Sequence, residues 1–360
     1  MISANNSMII LRRLFFSILR SVLTLILITA ILYASLMVTP AETRASLYMP
    51  KKTSPRMTEE MYAKMLQDMI DKYQLDRPFP VQYLSWAGNL IKGNWGYSPN
   101  LQEDVLTGLT RRAPATLELT FYAIIIYFPL GLLSGVVAGN RRKGVADRLF
   151  RTTAFVATSL TPMILAIIMM VVFYITLRWF APGRLGTAFS PLIEAESFNS
   201  YTGFITIDGL LNKNPALTLD ALRHLAMPAL TLAFAQWAIL GRITRATVIE
   251  ENQKEYIIAG RARGLHEWTL AWRYALGNAA GPVLTHTILS AASLMTSVFV
   301  VEIIFSYPGL STVGVKSLAL IPDAPSAMGF AIYSTLLVLI LTSLLDFLKA
   351  VVDPRLREES

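Results

Sequence analysis

Long apolar stretches separated by short polar ones make up most of this chain. Each stretch approaches the ~20 residues that an α-helix needs to cross the hydrocarbon core of a bilayer. A backbone in lipid must satisfy its own hydrogen bonds, which favours helices. The pattern predicts an all-α polytopic membrane protein with six transmembrane helices, at about residues 22–38, 116–138, 152–177, from Met227 onward, 283–305 and 328–352.

The polar segments divide the chain into four predicted regions. These are a cytoplasmic N-terminus with the first span (1–38), a long outer loop (39–115), a five-span core (116–352) with a cytoplasmic loop at about 245–281, and a cytoplasmic tail (353–360). Two further helices are predicted outside the spans, at about Thr58–Tyr73 and, as a short surface or re-entrant helix, at about Leu217–His224.

Basic residues set the predicted orientation. Arg12, Arg13 and Arg20 precede the first span, and Arg141, Arg142, Lys143 and Arg148 fall in the short turn after the second. Short cytoplasmic loops carry excess Lys and Arg, so the chain is predicted to span a cell (inner or plasma) membrane with both termini in the cytoplasm. A cleavable signal peptide ending near Ala34 or Ala41 is the alternative for the first apolar stretch.

Composition excludes several classes of protein. With 54% hydrophobic and 16% charged residues, the chain is too apolar for an ordinary soluble domain. Its +8 charge collects at membrane boundaries, so membrane lipid rather than nucleic acid explains it. There is no cysteine and no phosphate-binding loop, and His224, His266 and His286 are widely separated. We therefore expect no metal site, no cofactor and no catalytic residue in this chain.

The stretch from Glu255 to Pro282 is a charged island between apolar runs. Gly264 suits the residue after a helix end because glycine accepts positive φ, and Leu265 can supply the accompanying apolar contact. Arg261 and Arg263 precede the glycine and Glu267 follows it, where each charge suits the adjacent helix dipole. The island is predicted to be two short helices joined at Gly264.

An apolar face is predicted on the second of these helices. Leu265, Trp268, Trp272 and Leu276 recur at helical spacing and could fill a partner's groove. By pattern alone, the island could equally be a cytoplasmic loop lying on lipid headgroups.

The sequence of the island resembles a known family. GRARGL from Gly260, with Glu255 and Tyr256 before it and Asn278 and Pro282 after it, is similar to the coupling loop of permease subunits of binding-protein-dependent ABC importers, in the oligopeptide and dipeptide (peptide/nickel) branch. Further matches carry the resemblance over nearly the whole chain: LDRPFPVQYLSWAGNLIKGNWGYS from Leu75, RRAPATLEL from Arg111, LRHLAMPALTL from Leu222, VVEIIFSYPGLSTVG from Val300, and Asp353-Pro354-Arg355.

Two positions depart from the general loop pattern. The Glu-Ala-Ala that usually precedes the glycine is replaced by Ile258, Ala259 and Gly260, a departure common in the peptide branch. His266 stands where that branch usually has serine, so the second helix is expected to lack its usual N-cap oxygen.

The resemblance implies that this chain is not an enzyme but forms half of a translocation path. The implied partners are a second permease of similar fold, two cytoplasmic ABC ATPase subunits that bind ATP and Mg²⁺, and an extracytoplasmic substrate-binding protein. It also implies the contact with the ATPase, for which the candidate residues are Glu255, Tyr256, Arg261, Ala262, Arg263, Gly264 and Leu265. Gly264 would shape the contact, and the arginines would pair with acidic or carbonyl groups on the partner. The branch implies peptides as the substrate, while nickel, sugar and other solutes share the permease pattern and stay open as alternatives.

Four residues are predicted to belong to a pathway or gate. The candidates are Pro162, Glu302, Pro308 and Gly309: Pro162 as a kink within the third span, and the Pro308-Gly309 pair as a tight bend. Glu302 is either functional or, being near the end of a span, in contact with water.

Two other classes of protein are alternative hypotheses. An ion-coupled secondary transporter or channel acting alone would need ionisable groups within its spans, and only Glu118, Glu302 and Asp346 are candidates. A passive membrane anchor would not call for the two-helix loop.

Overall fold

The computed structural model describes residues 4–46, 59–195, 198–318 and 323–352. Their regular structure is helical apart from one hairpin of two short strands, in which β1 (Tyr97–Ser98) pairs antiparallel with β2 (Glu103–Asp104). The helices are α1 Ala4–Leu36, α2 Ala41–Ser46, α3 Glu59–Tyr73, α4 Phe79–Ile91, α5 Val105–Asn140, α6 Val145–Ser159, α7 Pro162–Met169, α8 Ser190–Glu194, α9 Ile205–Leu211, α10 Pro215–Glu251, α11 Glu255–Ala262, α12 Glu267–Thr269, α13 Leu276–Ile304, α14 Ser311–Ser317 and α15 Ala324–Val352. Two π-helical segments, Met170–Thr176 and Leu270–Ala275, continue α7 and α12.

Five helical stretches in the described residues are long and apolar enough to cross a membrane. They are Ile18–Leu36, Val105–Asn140, Pro215–Glu251, Glu267–Ile304 and Ala324–Phe347. A sixth crossing is available if the bent pair Val145–Ser159 and Pro162–Thr176 counts as one span. The predicted all-α polytopic fold is confirmed.

The kink predicted at Pro162 is a complete break. α6 ends at Ser159, the chain is extended at Leu160 and Thr161, and α7 starts at Pro162 with a 99° change of direction. Proline disfavours helical backbone in the residue before it but suits the first position of a helix. The Thr161 hydroxyl accepts a hydrogen bond from the Ile164 amide, so Pro162 begins a capped helix.

Two predicted helix boundaries are wrong. The short helix expected at Leu217–His224 is the start of α10, which runs unbroken through Pro228 to Glu251. Likewise, the helix after Gly264 does not end near Pro282 but continues from Glu267 to Ile304. A proline within a membrane helix can be accommodated when neighbouring groups satisfy the freed carbonyl, so neither Pro228 nor Pro282 ends its helix.

The described chain forms two compact units. The first comprises the described parts of residues 1–15, 114–309 and 340–360. Its core is built mainly from α5, α10 and α13, with Tyr127, Leu232 and Leu294 fully buried. Along α5, Gly131, Gly135 and Gly139 face α10 so closely that added Cβ atoms would lie 2.6 to 3.0 Å from its atoms. Small residues at four-residue spacing allow this approach in lipid.

The second unit comprises the described parts of residues 16–113 and 310–339. Tyr33 packs among the rings of Phe79, Tyr83 and Trp86. Buried Arg44 donates to Gln82 Oε1 at 2.8 Å. The helix predicted at Thr58–Tyr73 is confirmed as α3. The signature Asp353-Pro354-Arg355 and the rest of the tail lie outside the described residues.

Candidate functional site

The loop from Lys254 to Glu267 is a helix, a glycine turn and a second helix, as the sequence predicts. α11 ends at Ala262, and Gly264 has φ +80°. The Leu265 amide donates to Gly260 O at 3.2 Å and the Gly264 amide to Arg261 O at 3.0 Å. This pair of bonds is the Schellman motif, which needs a left-handed residue where Gly264 stands. The turn is therefore fixed by backbone geometry.

An ion pair joins the two helices across this turn. Arg261 Nε lies 2.5 Å from Glu267 Oε1, and its Nη2 lies 3.0 Å from Oε2. These hydrogen bonds raise the pKa of Arg261. Arg261 thus has a partner within its own loop, whereas Arg263 is exposed and its guanidinium has no ion pair among the described residues.

His266 caps the second helix. The expectation that a histidine in place of the usual serine leaves this helix uncapped is therefore wrong. The Trp268 amide donates to His266 Nδ1 at 3.2 Å. The ring nitrogen thus accepts the hydrogen bond that a serine oxygen would normally accept.

One face of α11 is seated on the rest of its own unit. Ile257 is fully buried in a cluster that we call the seat, formed with Val136, Val248, Leu270, Ala271 and Ala275. Gly260 is also buried, and a Cβ there would lie 2.7 Å from Leu270 Cδ2. The seat joins the loop to α5, α10 and the π-helical start of the following helix.

The opposite face of the loop is exposed. All seven predicted contact residues lie on it: Glu255, Tyr256, Arg261, Ala262, Arg263, Gly264 and Leu265. Of the predicted apolar face, Leu265 and Trp268 stay exposed, whereas Trp272 and Leu276 pack on the seat. The exposed surface thus combines charged and large apolar side chains, a composition suited to docking against another protein.

Glu118, predicted only as an ionisable residue near a span end, is buried in a network. Arg184 donates through Nη2 and Nε to Glu118 Oε2 at 2.6 and 3.2 Å. The Thr206 amide and hydroxyl donate to Oε1 at 2.9 and 2.7 Å, and the Tyr307 hydroxyl lies 3.3 Å from Oε2. Arg184 also donates to Gly203 O at 2.6 Å. Sequence reasoning missed Arg184, which is 66 residues away in a polar loop.

Glu302 does not reach water, which excludes one of its two predicted roles. It is fully buried, and the Thr116 hydroxyl donates to its Oε1 at 2.5 Å. The predicted tight bend follows at Pro308, where the Gly309 amide donates to Tyr307 O at 2.8 Å. The Glu302 carboxylate lies so close to Gly309 that a Cβ there would overlap it. Glu302, Pro308 and Gly309 are thus brought together, whereas Pro162 begins α7.

Asp147 is a second buried carboxylate with an arginine partner, also missed from the sequence. Arg245 Nε lies 2.5 Å from Asp147 Oδ1, and the Lys143 amide donates to Oδ2 at 3.0 Å. The pair fastens the basic turn after α5 to the end of α10 that leads into the loop.

Comparisons with known proteins agree with this architecture. Residues 128–358 match the family described as binding-protein-dependent transport system inner membrane component. The chain is 32% identical to a di/tripeptide transport system permease protein of Pseudomonas aeruginosa, over 84% of this chain and 87% of the relative. It is 31% identical to a probable D,D-dipeptide transport system permease protein of Escherichia coli (81% and 84%) and to an oligopeptide transport system permease protein of Bacillus subtilis (81% and 84%).

Proposed function

The chain belongs to the binding-protein-dependent transport system inner membrane components and is a permease subunit of an ABC importer; on that premise we propose that it carries short peptides and forms half of the path with a second, similar permease. The three relatives named above are each described as permeases for di- or tripeptides, D,D-dipeptides or oligopeptides. Each alignment covers more than four-fifths of this chain and of the relative, which supports a peptide as the transported solute.

The loop from Lys254 to Glu267 is the proposed contact with a cytoplasmic ABC ATPase. The single observation that carries this proposal is its two-sided construction. One face is buried on the seat through Ile257 and Gly260, while the other exposes Glu255, Arg263 and Leu265. Because the helix is packed on the seat, a displacement imposed by a partner can be transmitted to α5, α10 and α13 as rigid-body movement. ATP and Mg²⁺ would be bound by the ATPase pair.

The orientation belongs to the same proposal. The basic turn at residues 141–148 and the loop with Arg261 and Arg263 would lie in the cytoplasm, and so would both termini. An extracytoplasmic substrate-binding protein would deliver the peptide from the opposite side.

The ion-coupled alternative receives little support from the carboxylates. Glu118 is neutralised by Arg184, and Glu302 accepts from Thr116. An ion-coupled site needs carboxylates able to exchange a cation during transport, and these two carboxylates are committed to bonds within the protein.

Affinity purification of the tagged chain from gently solubilised membranes tests the proposal. We expect a second permease and an ABC ATPase to co-purify, and the reconstituted complex with its binding protein to import short alanine peptides only with ATP. A chain that purifies alone as a homo-oligomer at several detergent strengths would contradict the assembly. An intact complex that imports no peptide would contradict the substrate.

A further inference from the structure

An open cavity of about 780 Å³ lies within the first unit. It is bordered by the π-helical segment after α7, by the loop at residues 178–187, and by the first turns of α10. Its size is within the range of small-ligand sites, which runs from about 300 to 1,000 Å³. Tyr174, Phe180 and Leu185 contribute apolar walls, and Arg178, Arg223 and His224 contribute polar groups.

The loop that forms one wall is fixed at several successive points. Arg223 donates to Trp179 O through Nη2 and Nε at 2.6 and 2.9 Å. Further along, the Gly183 amide donates to Phe305 O at 2.8 Å, and Arg184 is held by Glu118. Since these anchors come from separate helices, the cavity has a defined shape before any ligand enters.

The far end of the same wall is also anchored. The Gly186 amide donates to Asp220 Oδ2 at 2.7 Å, and the same carboxylate oxygen lies 3.4 Å from His224 Nδ1. Among the described residues that line the cavity there is no Asp or Glu, whereas two are arginines. The lining therefore favours an anionic group.

Arg178 is the cation available for that group. Its side chain is exposed at the cavity, and within the described part of the chain its guanidinium has no ion pair or hydrogen bond. Arg223, in contrast, already donates to Trp179 O. A guanidinium can bind a carboxylate through two parallel hydrogen bonds, so Arg178 could orient as well as attract one.

His224 supplies a buried polar group. Its side chain is only 6% exposed, and its Nδ1 lies 2.8 Å from Asp220 O and 3.4 Å from Asp220 Oδ2. A carbonyl oxygen can only accept, so Nδ1 carries a proton and points away from the cavity ligand. No other described residue takes a hydrogen bond from or gives one to Nε2. A peptide backbone can satisfy this nitrogen, because each peptide unit carries both an N–H donor and a C=O acceptor.

We propose that this cavity binds a short peptide in transit, with Arg178 holding the terminal carboxylate and His224 Nε2 forming a hydrogen bond with the peptide backbone. The proposal rests on the proposed function, because it concerns how the same permease handles its peptide. It assigns a solute contact to the permease itself, separate from recognition by the binding protein.

Equilibrium binding of radiolabelled trialanine to the purified permease–ATPase complex, without binding protein, tests this assignment. We expect saturable binding that unlabelled trialanine displaces and trialanine amide does not. Arg178→Gln should weaken binding about tenfold or more, the loss expected for a charge-assisted hydrogen bond, and Arg178→Lys should recover part of it.

The chain offers a close control in Lys213. It is also an exposed cation at positive φ, with φ +56° against +54° for Arg178, but it does not line the cavity. Lys213→Gln should leave trialanine binding unchanged. If Lys213→Gln and Arg178→Gln weaken binding equally, the effect is general electrostatics and the assignment is wrong.

The remaining outcomes separate this site from the proposed function. If the complete system imports trialanine while binding is indifferent to Arg178, the cavity assignment alone fails. If the complete system imports no peptide, the proposed function fails and takes the assignment with it. Native mass spectrometry can also detect a bound phosphatidylglycerol. If Arg178→Gln loses this lipid but still binds trialanine, the cavity is a lipid site and the proposal is overturned.

Discussion

Arg261 and Glu267 face each other across the Gly264 turn and are joined by two hydrogen bonds. Both side chains are about half exposed, at 49% and 50%. Exposed ion pairs contribute little to the free energy of unfolding. We therefore expect the pair to act chiefly on the angle between α11 and α12, and so on the surface that the loop presents.

Charge reversal distinguishes this internal role from a direct contact with the ATPase. Arg261→Glu and Glu267→Arg should each lower ATP-driven uptake severalfold while changing thermal stability by less than about 1 kcal/mol. The double exchange should restore uptake, because it rebuilds the pair with opposite polarity. If the double exchange is as defective as Arg261→Glu alone, Arg261 contacts the partner directly.

Gly264 and Gly277 form a matched pair for testing the turn. An added Cβ has open space at both positions, but Gly264 has φ +80° and Gly277 lies within α13. Gly264→Ala should cost about 1 kcal/mol in loop stability and reduce both ATPase docking and uptake, while Gly277→Ala should be neutral or slightly stabilising. Gly264→Val should be more severe and still insert into the membrane. Normal uptake by Gly264→Val would contradict the coupling assignment.

The turn was predictable because its determinants are local. Gly264, Leu265 and the flanking charges lie within a few residues, and the pattern gave the correct φ sign at Gly264. His266 shows the limit of such reasoning, since its ring nitrogen replaces an oxygen cap through a hydrogen bond that depends on the orientation of the side chain. The helix periodicity also could not show that a π-helical segment turns Trp272 and Leu276 onto the seat.

Partners distant in sequence could not be predicted. Nothing near Glu118 indicates that Arg184 will reach it, because the loop that carries Arg184 is placed by tertiary packing. The prolines show the same limit. Pro162 separates two helices, whereas Pro228 lies inside one, and the outcome depends on whether neighbouring groups satisfy the freed carbonyls.

Removing either partner of the Glu118–Arg184 pair should be costly. Glu118 is only 1% exposed and Arg184 is 16% exposed. Leaving the Glu118 carboxylate unpaired should therefore cost more free energy than leaving the Arg184 guanidinium unpaired. We expect Arg184→Gln to lower the free energy of unfolding by about 3 kcal/mol, Glu118→Gln by less, and the double variant by less than the sum. Thermal unfolding in detergent measures these differences. Additive losses would show that the pair is not energetically coupled.

Gly309 should tolerate no side chain. Gly309→Ala would press its Cβ against the buried Glu302 carboxylate, and Glu302→Gln, which has the same shape, should not relieve the clash. We expect Gly309→Ala to lower the melting temperature and Glu302→Gln/Gly309→Ala to lower it at least as far. Full rescue by Glu302→Gln would mean that charge, rather than space, is limiting.

The absence of cysteine from the chain makes the orientation directly testable. Arg141→Cys and Lys213→Cys introduce single thiols at two exposed turns, one on each proposed side of the membrane. In intact cells, a membrane-impermeant maleimide should label position 213 and not position 141. Both should react after permeabilisation. Labelling of position 141 in intact cells would reverse the orientation.

The helical path from Glu267 to Ile304 gives the permease a long lever arm. Its 38 residues follow one another without a break; an α-helix rises 1.5 Å per residue and the π-helical segment Leu270–Ala275 rises less, so the arm measures at most about 57 Å. A tilt of about 5° applied at Glu267 would carry Ile304 sideways by about 5 Å over that length. If the ATPase contacts the loop as proposed, a small displacement at the Gly264 turn would become a larger displacement at Ile304, at the far end of the helix.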